Sequence, residues 1–221
     1  MYETLKTKRT WGPLEKSVLT GKGIDIGCGP DPLSPEVKPF DLKDGDANEI
    51  TRYVDEQFDF VYSSHCLEHM HDPAKAIQEW WKLVRPGGHL FVIVPDEDLY
   101  EQGVFPSRFN DDHKTTFTLS KAQSWSPVSV NVLDLVKLLP NSELVSVALQ
   151  DHHYDRRLLT HGPSPNNWLA RKLLRGYRSL KRCTGLGSQF LDMLACRYIP
   201  TDQTTNEVTL AQIQFIVKKL A

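Results

Sequence analysis

Hydrophobic and polar positions fall into short blocks whose period changes along the chain. Residues 1–20 are polar with scattered apolar positions and predict a helical lead-in. Gly23-Ile24-Asp25-Ile26, cut off by Gly27, predicts a buried strand that ends in a turn. Apolar runs over 37–41 and 58–62 predict two more strands. Over 73–84 the period becomes helical, with Ile77, Trp80, Trp81 and Val84 on one face. Asp72 stands at the capping position. Pro73 suits the first turn, where its missing N–H would be unpaired in any case. Pro86-Gly87-Gly88 stops that helix, and the β-branched run 89–94, closed by Pro95, predicts a strand. Strand, helix, turn, strand is the unit of a parallel sheet. Residues 96–120 read as loop, 130–139 as a helix ended by Pro140, 143–150 as a strand and 207–217 as the last strand. The sequence contains no internal repeat.

Composition narrows the class. With 221 residues, 40% hydrophobic and 24% charged, the chain suits one soluble globular domain whose core needs no disulfide. Cys28, Cys66, Cys183 and Cys196 form no C-x-x-C pair and fit no zinc spacing. Free thiols in a reducing compartment, hence a cytoplasmic protein, are expected. The first residues lack the apolar core of a signal peptide, and no run approaches a membrane span. The net charge of −2 hides an asymmetry, because residues 156–197 hold nine basic residues against Asp192 alone and carry +8. Such a stretch is expected to have its own task.

The chemistry-bearing residues begin with GIDIGCGPDP, residues 23–32. Glycines directly after a buried strand let the backbone turn tightly and approach a ligand. A lone G-x-G also fits an ordinary tight turn. The third glycine of the dinucleotide fingerprint is missing, and so is the G-K-[ST] of a phosphate loop. Asp25 at the strand end repels phosphate and suits a ligand with a cationic amine. Asp41 follows Gly27 by 14 residues, where an acid can accept both hydroxyls of a ribose. The usual interval is about 20 residues, so the helix between is expected to be truncated, in keeping with Pro30, Pro32, Pro35 and Pro39. Asp46, in Gly45-Asp46-Ala47-Asn48, can accept from an adenine amine.

In order, GIDIGCG, Asp41, GDAN, FDFVYSSHCLEHMHDP and WWKLVRPGGHLFVIVPD resemble the class I S-adenosylmethionine-dependent methyltransferases, in particular the group acting on small molecules and glycans. The resemblance covers about residues 22–96. It implies an α/β, Rossmann-like fold: a mostly parallel seven-stranded sheet with an antiparallel last strand, helices on both faces and a shortened first helix. It also implies one domain over 1–221, with a basic helical insertion over 156–200 acting as a lid before the last strand. S-adenosylmethionine is the implied methyl donor. Asp25, Gly27, Cys28 and Gly29 match the turn that holds its methionine part, Asp41 the ribose acid, Leu42 the adenine face, and Asp46 and Ala47 the adenine edge. Ser64, His65 and Leu67 would line the methionine and the transferable methyl, with Glu68 and His69 continuing that segment.

Methyl transfer from a sulfonium is an in-line displacement in which alignment supplies much of the rate. A hydroxyl acceptor also needs a base. Two clusters offer one: Asn110-Asp111-Asp112-His113 and Asp151-His152-His153-Tyr154-Asp155. Histidine titrates near neutral pH, so His113 is the expected base, oriented by Asp112; a solvated polar loop is the alternative. The two clusters together also offer carboxylates to a divalent ion such as Mg²⁺, although no metal ligand is assigned. Over 166–182, Trp168, Leu169, Leu173, Tyr177 and Leu180 fall near one helical face with basic residues elsewhere. This reads either as a lid helix or, over 156–182, as a surface for anionic acceptors or an acidic lipid leaflet. The expected function is methylation of a hydroxyl on a sugar or other small acceptor. The alternatives are an RNA or protein methyltransferase using the basic stretch, and an S-adenosylmethionine-binding protein without turnover. Nucleic acid is not expected, because the sequence has neither an N/D-P-P-[YF] motif nor a nucleic-acid module.

Overall fold

A computed structural model describes residues 3–221. Two short helices lead in, α1 (Glu3–Lys8) and α2 (Pro13–Val18), so Met1 and Tyr2 of the expected lead-in lie outside the described residues. Then come β1 (Gly23–Ile26), β2 (Lys38–Phe40), β3 (Phe58–Ser64), α3 (Pro73–Lys82) and β4 (Val84–Pro95). A small ribbon, β5 (Thr116–Thr118) and β6 (Ser129–Asn131), precedes α4 (Val132–Lys137) and β7 (Ser142–Gln150). A helical hairpin, α5 (Trp168–Thr184) and α6 (Gln189–Tyr198), separates β7 from the last strand, β8 (Gln212–Lys219).

The main sheet runs β2-β1-β3-β4-β8-β7. The pairs from β2 to β4 are parallel, and β8 is antiparallel to both its neighbours. The expected antiparallel last strand is therefore present. The sheet has six strands, not seven, because the chain between β2 and β3 winds into a 3-10 turn (Ala47–Arg52) instead of an edge strand. Period-two alternation gives each strand two buried faces. Leu90, Val92, Val94, Phe215 and Val217 pack with Trp80, Trp81 and Leu135 of α3 and α4. Phe60, Tyr62, Phe91, Ile93 and Ile216 pack on the opposite face against Val18 of α2 and Trp11.

That second face is thinly covered because no helix forms between β1 and β2. The first helix is absent rather than shortened, and residues 27–37 are turns and bends. Pro30, Pro32 and Pro35 have no N–H to donate, and each pushes the residue before it away from helical backbone. Leu33 and Val37 fill the space instead.

Two boundaries also move. Helix α3 ends at Lys82, and the strand begins at Val84, passing straight through Pro86-Gly87-Gly88. Val84 pairs with Phe58, and the register shifts before His89 pairs with Phe60. A Cβ on Gly88 would come within 2.7 Å of the Asp59 carbonyl oxygen, so the ladder there needs a glycine. Strand β8 starts five residues later than the alternation predicts, because residues 207–211 fold back on the β7 end, with Leu210 N–H donating to the His152 carbonyl at 3.0 Å.

Candidate active site

In a doubly wound sheet a ligand crevice opens where neighbouring strands leave in opposite directions. Here that place is the carboxyl end of β1, between β2 and β3. Gly27 has φ +75°, and its N–H donates to the Phe40 carbonyl at 2.8 Å, tying the β1 turn to the tip of β2. A Cβ on Gly27 would stand 2.5 Å from Cys66 Sγ, whereas a Cβ on Gly29 (φ +56°) would meet only open space. Bare backbone thus faces two adjoining cavities, about 320 and 820 Å³, which share Gly27, Gly29, His65 and His69.

The larger cavity gathers the residues expected to hold a nucleoside. Asp41, Leu42, Asp46 and Ala47 all line it. Asp41 Oδ1 accepts the Leu42 N–H at 2.7 Å, leaving its other oxygen with no partner within the protein among the described residues. Asp46 caps the 3-10 turn, accepting from Asn48 Nδ2 at 2.7 Å and from Asn48 N–H at 2.8 Å. Those bonds hold its carboxyl below the usual range. Trp80 Nε1–H donates to the Ala47 carbonyl at 2.9 Å, so the first core helix fixes this wall.

Two expected contact residues lie elsewhere. Asp25 is 1% exposed and lines neither cavity. Its Oδ2 accepts the Leu33 N–H at 2.7 Å, so it braces the glycine turn from behind instead of meeting a ligand amine. Burial pushes its carboxyl up to about 7, against the opposing pull of that hydrogen bond. Leu67 is buried in the core beside α3. The 3-10 turn Leu67–His69 aims Leu67 inward and presents Glu68 and His69 to the smaller cavity.

Cys28, Ser64, His65, Glu68, His69 and His113 line that smaller cavity. Burial raises the Cys28 thiol above its usual value, and the nearby Asp25 and Asp41 charges add to this. Ser64 Oγ is buried with no partner among the described residues. His65 has left-handed backbone, φ +52°, a strained conformation of the kind that clusters at functional sites, and its Nε2 meets Gln212 Oε1 at 3.0 Å. His113 is buried. Its Nδ1 lies 2.7 Å from Glu101 Oε1, and its ring stacks on Tyr100. Burial opposes the charged ring, but the Glu101 bond and the Glu68 charge outweigh it, so the His113 pKa lies above the ordinary histidine value.

The expected partner of His113 is corrected. Asp112 is exposed and reaches His69 Nδ1 at 2.9 Å and Lys114 at 3.2 Å. Glu101 supports His113 because a π turn (Glu97–Glu101), capped by Asp96, curls it inward. Glu101 does not stand out in the sequence, where it is one acid among several in a polar stretch, whereas Glu68 belongs to the segment that the resemblance places beside the methyl. In the second cluster Asp151 and Asp155 pair with Arg156 and Arg157, and none of residues 151–155 lines either cavity. Helix α1 adds Glu3 and Thr4 to the wall of the smaller cavity. The basic hairpin does not: among the described residues, nothing from α5 or α6 lines either cavity, and only Asp202 beyond them does.

Known proteins share part of the sequence and the fold. Residues 30–92 match the model of the methyltransferase domain family. An uncharacterised protein of Methanocaldococcus jannaschii is 26% identical over a stretch covering 45% of this chain and 59% of that protein. The match therefore spans less than two thirds of that relative's length. Among solved structures, an S-adenosylmethionine-dependent methyltransferase of Archaeoglobus fulgidus superposes with a TM-score of 0.50 at 13% identity, covering 98% of this chain and 92% of that one. Phosphoethanolamine N-methyltransferase 2 of Haemonchus contortus, in complex with S-adenosylmethionine, also gives 0.50, at 16% identity, covering 99% of this chain and 52% of that one. At these identities the likeness shows a shared fold.

Proposed function

We propose, from the premise that the chain belongs to the class I S-adenosylmethionine-dependent methyltransferases, that it methylates a hydroxyl group of a sugar or other small acceptor. One observation carries the choice of a hydroxyl: buried His113, backed by Glu101, opens into the same cavity as the glycine turn and Ser64. The cofactor supplies a methyl group made electrophilic by its sulfonium. Asp41 is proposed to hold the ribose, Asp46 and Ala47 the adenine edge, Leu42 the adenine face, and Gly27, Cys28, Gly29, Ser64 and His65 the methionine part. The fit is supported by the open space beside Gly29 and by the unpartnered Ser64 hydroxyl.

The chain's own task is then alignment and proton removal. With Nδ1–H donating to the Glu101 carboxylate, a neutral His113 ring carries its lone pair on Nε2, which can take the acceptor's proton. Asp112 acts at one remove, positioning His69. The four free thiols suit a reducing, cytoplasmic compartment, and no helix among the described residues is long and apolar enough to cross a membrane. Contact of the basic hairpin with anionic surfaces belongs to the same proposal.

The test is incubation with methyl-labelled S-adenosylmethionine and fractionated small-molecule and saccharide acceptors, alongside calorimetry. Asp41→Ala removes charge-assisted bonds worth about 1.5–3 kcal/mol each and should weaken cofactor binding by roughly tenfold to a hundredfold. His113→Ala should leave binding intact and lower turnover by about a hundredfold or more. Full turnover by His113→Ala would remove it from the chemistry, and label appearing only in protein or RNA would replace the acceptor class.

A further inference from the structure

We infer that Glu68, His69 and His113 form a binding site for a divalent metal cation of the manganese-to-zinc type. The inference is located by geometry alone; its use in catalysis rests on the methyl-transfer reading.

The Glu68 side chain is fully buried, yet neither carboxylate oxygen has a hydrogen-bond partner among the described residues. A buried, unpaired carboxylate is costly unless a positive charge faces it. Three imidazole nitrogens face it, and His65 Nδ1, at 3.6 Å from Glu68 Oε1, is the nearest of them. His69 Nε2 and His113 Nε2 each stand 3.9 Å from Glu68 Oε1, too far for a hydrogen bond. One ligand atom from each of the three residues lies within 4.8 Å of the others. Two metal–ligand bonds of about 2.1 Å that meet on one ion span roughly 3–4 Å, so a small closure brings all three donors onto a common centre.

The surroundings of the rings point the same way. His69 Nδ1 donates to the Asp112 backbone carbonyl at 3.3 Å with the Asp112 carboxylate 2.9 Å away, and His113 Nδ1 lies 2.7 Å from Glu101. An acceptor oxygen behind each ring, a backbone carbonyl for His69 and a carboxylate for His113, fixes the tautomer that leaves Nε2 free and raises its basicity, the usual outer support of a metal-binding histidine. Two imidazoles and one carboxylate are a mixed nitrogen and oxygen set, which suits manganese, iron, cobalt or zinc over magnesium. Three protein ligands also leave positions open towards the cavity, as a site that takes a substrate oxygen requires.

Such an ion changes the duty of His113. Without it, the ring takes the acceptor proton; with it, Nε2 is a ligand and the ion makes the acceptor hydroxyl acidic. The O–H bond then breaks with its proton passing to solvent, the oxygen–methyl bond forms, and the sulfur–methyl bond breaks with its electron pair left on sulfur.

The experiment is titration of chelator-stripped full-length protein with Mn²⁺, read by the loss of the free-ion paramagnetic resonance signal, and with Zn²⁺ in competition with a chromophoric chelator. One equivalent should bind per chain. Glu68→Gln and, separately, His113→Ala should weaken binding by at least tenfold. Glu101→Gln should weaken it by roughly ten- to a hundredfold through the His113 ring, and Asp72→Asn should leave it unchanged. Calorimetry with S-adenosylhomocysteine reports whether each variant is folded. Absence of Mn²⁺ and Zn²⁺ binding to the unsubstituted chain, or binding that Glu68→Gln and His113→Ala both leave intact, overturns the site. Binding of S-adenosylhomocysteine without either metal leaves the methyltransferase reading standing and removes the metal. Binding of metal without S-adenosylhomocysteine does the reverse.

Discussion

Asp25 couples stability to pH through its burial. Its carboxyl is pushed up to about 7 in the folded chain, against an ordinary value of about 3.9 in the unfolded one. Between those values the folded state keeps a proton that the unfolded state has lost, so this residue's stabilising contribution is complete below about pH 4 and is lost as pH rises through 7. Asp25→Asn keeps an oxygen to accept the Leu33 N–H and has no charge to bury. The variant should melt higher than the unsubstituted chain at pH 8, with the gap closing as pH falls towards 5. Each kcal/mol corresponds to about 2–4 °C for a chain of this size. Thermal melts of the two chains across that range check it; a constant gap would show that Asp25 stays ionised in the fold.

Among the elements, the segment between β4 and α4 depends on one side chain. Glu97 is fully buried and accepts from Thr116 at 3.0 Å, Lys121 at 3.1 Å, Ser124 at 2.6 Å and Ser129 at 2.5 Å. It binds β5, β6 and the loop between them to the π turn that carries Glu101. Glu97→Gln exchanges two acceptor oxygens for one, so at least one of those donors loses its partner, at about 1–3 kcal/mol for a buried polar group. Limited proteolysis should then cut between 104 and 127 faster than in the unsubstituted chain while β1 and β3 stay protected; equal cutting rates would show that the ribbon holds without Glu97. The same segment marks where sequence reading stops. The core strands and α3 are legible because burial imposes a period on Ile24, Val61, Trp80 and Val92. Strands β5 and β6 have three residues each and are held by a side chain 19 to 32 positions away, which leaves no local period. For the same reason Asp41 and Gly27 could be placed from strand ends, while Glu101 could not. Its role comes from a π turn, and the neighbouring acid in the sequence, Asp112, takes His69 instead.

At the scale of the whole molecule, charge and apolar surface coincide on the hairpin. Leu169, Leu173 and Leu180 lie on one exposed face of α5, and Leu186 and Phe190, in the turn and at the start of α6, are exposed as well. Tyr177, expected on that face, turns inward and bonds Asp192 at 3.0 Å. Leu173 is 66%, Leu180 63% and Phe190 71% exposed. Lys172, Arg175 and Arg182 are exposed on the same helix, within the stretch of charge +8. Apolar residues flanked by cations are what a helix needs to lie in the interface of an anionic bilayer, where each basic residue adds about 1 kcal/mol. The chain should therefore float with vesicles containing phosphatidylglycerol, stay in solution with phosphatidylcholine alone, and be released by about 0.5 M salt, where screening is strong. Leu173→Glu with Leu180→Glu removes roughly 2–3 kcal/mol of insertion per site and should reduce partitioning by more than tenfold. Cofactor binding should not change, since neither α5 nor α6 lines the cavities. If the double variant floats as well as the unsubstituted chain, the attraction is electrostatic only, and the leucines serve some other surface.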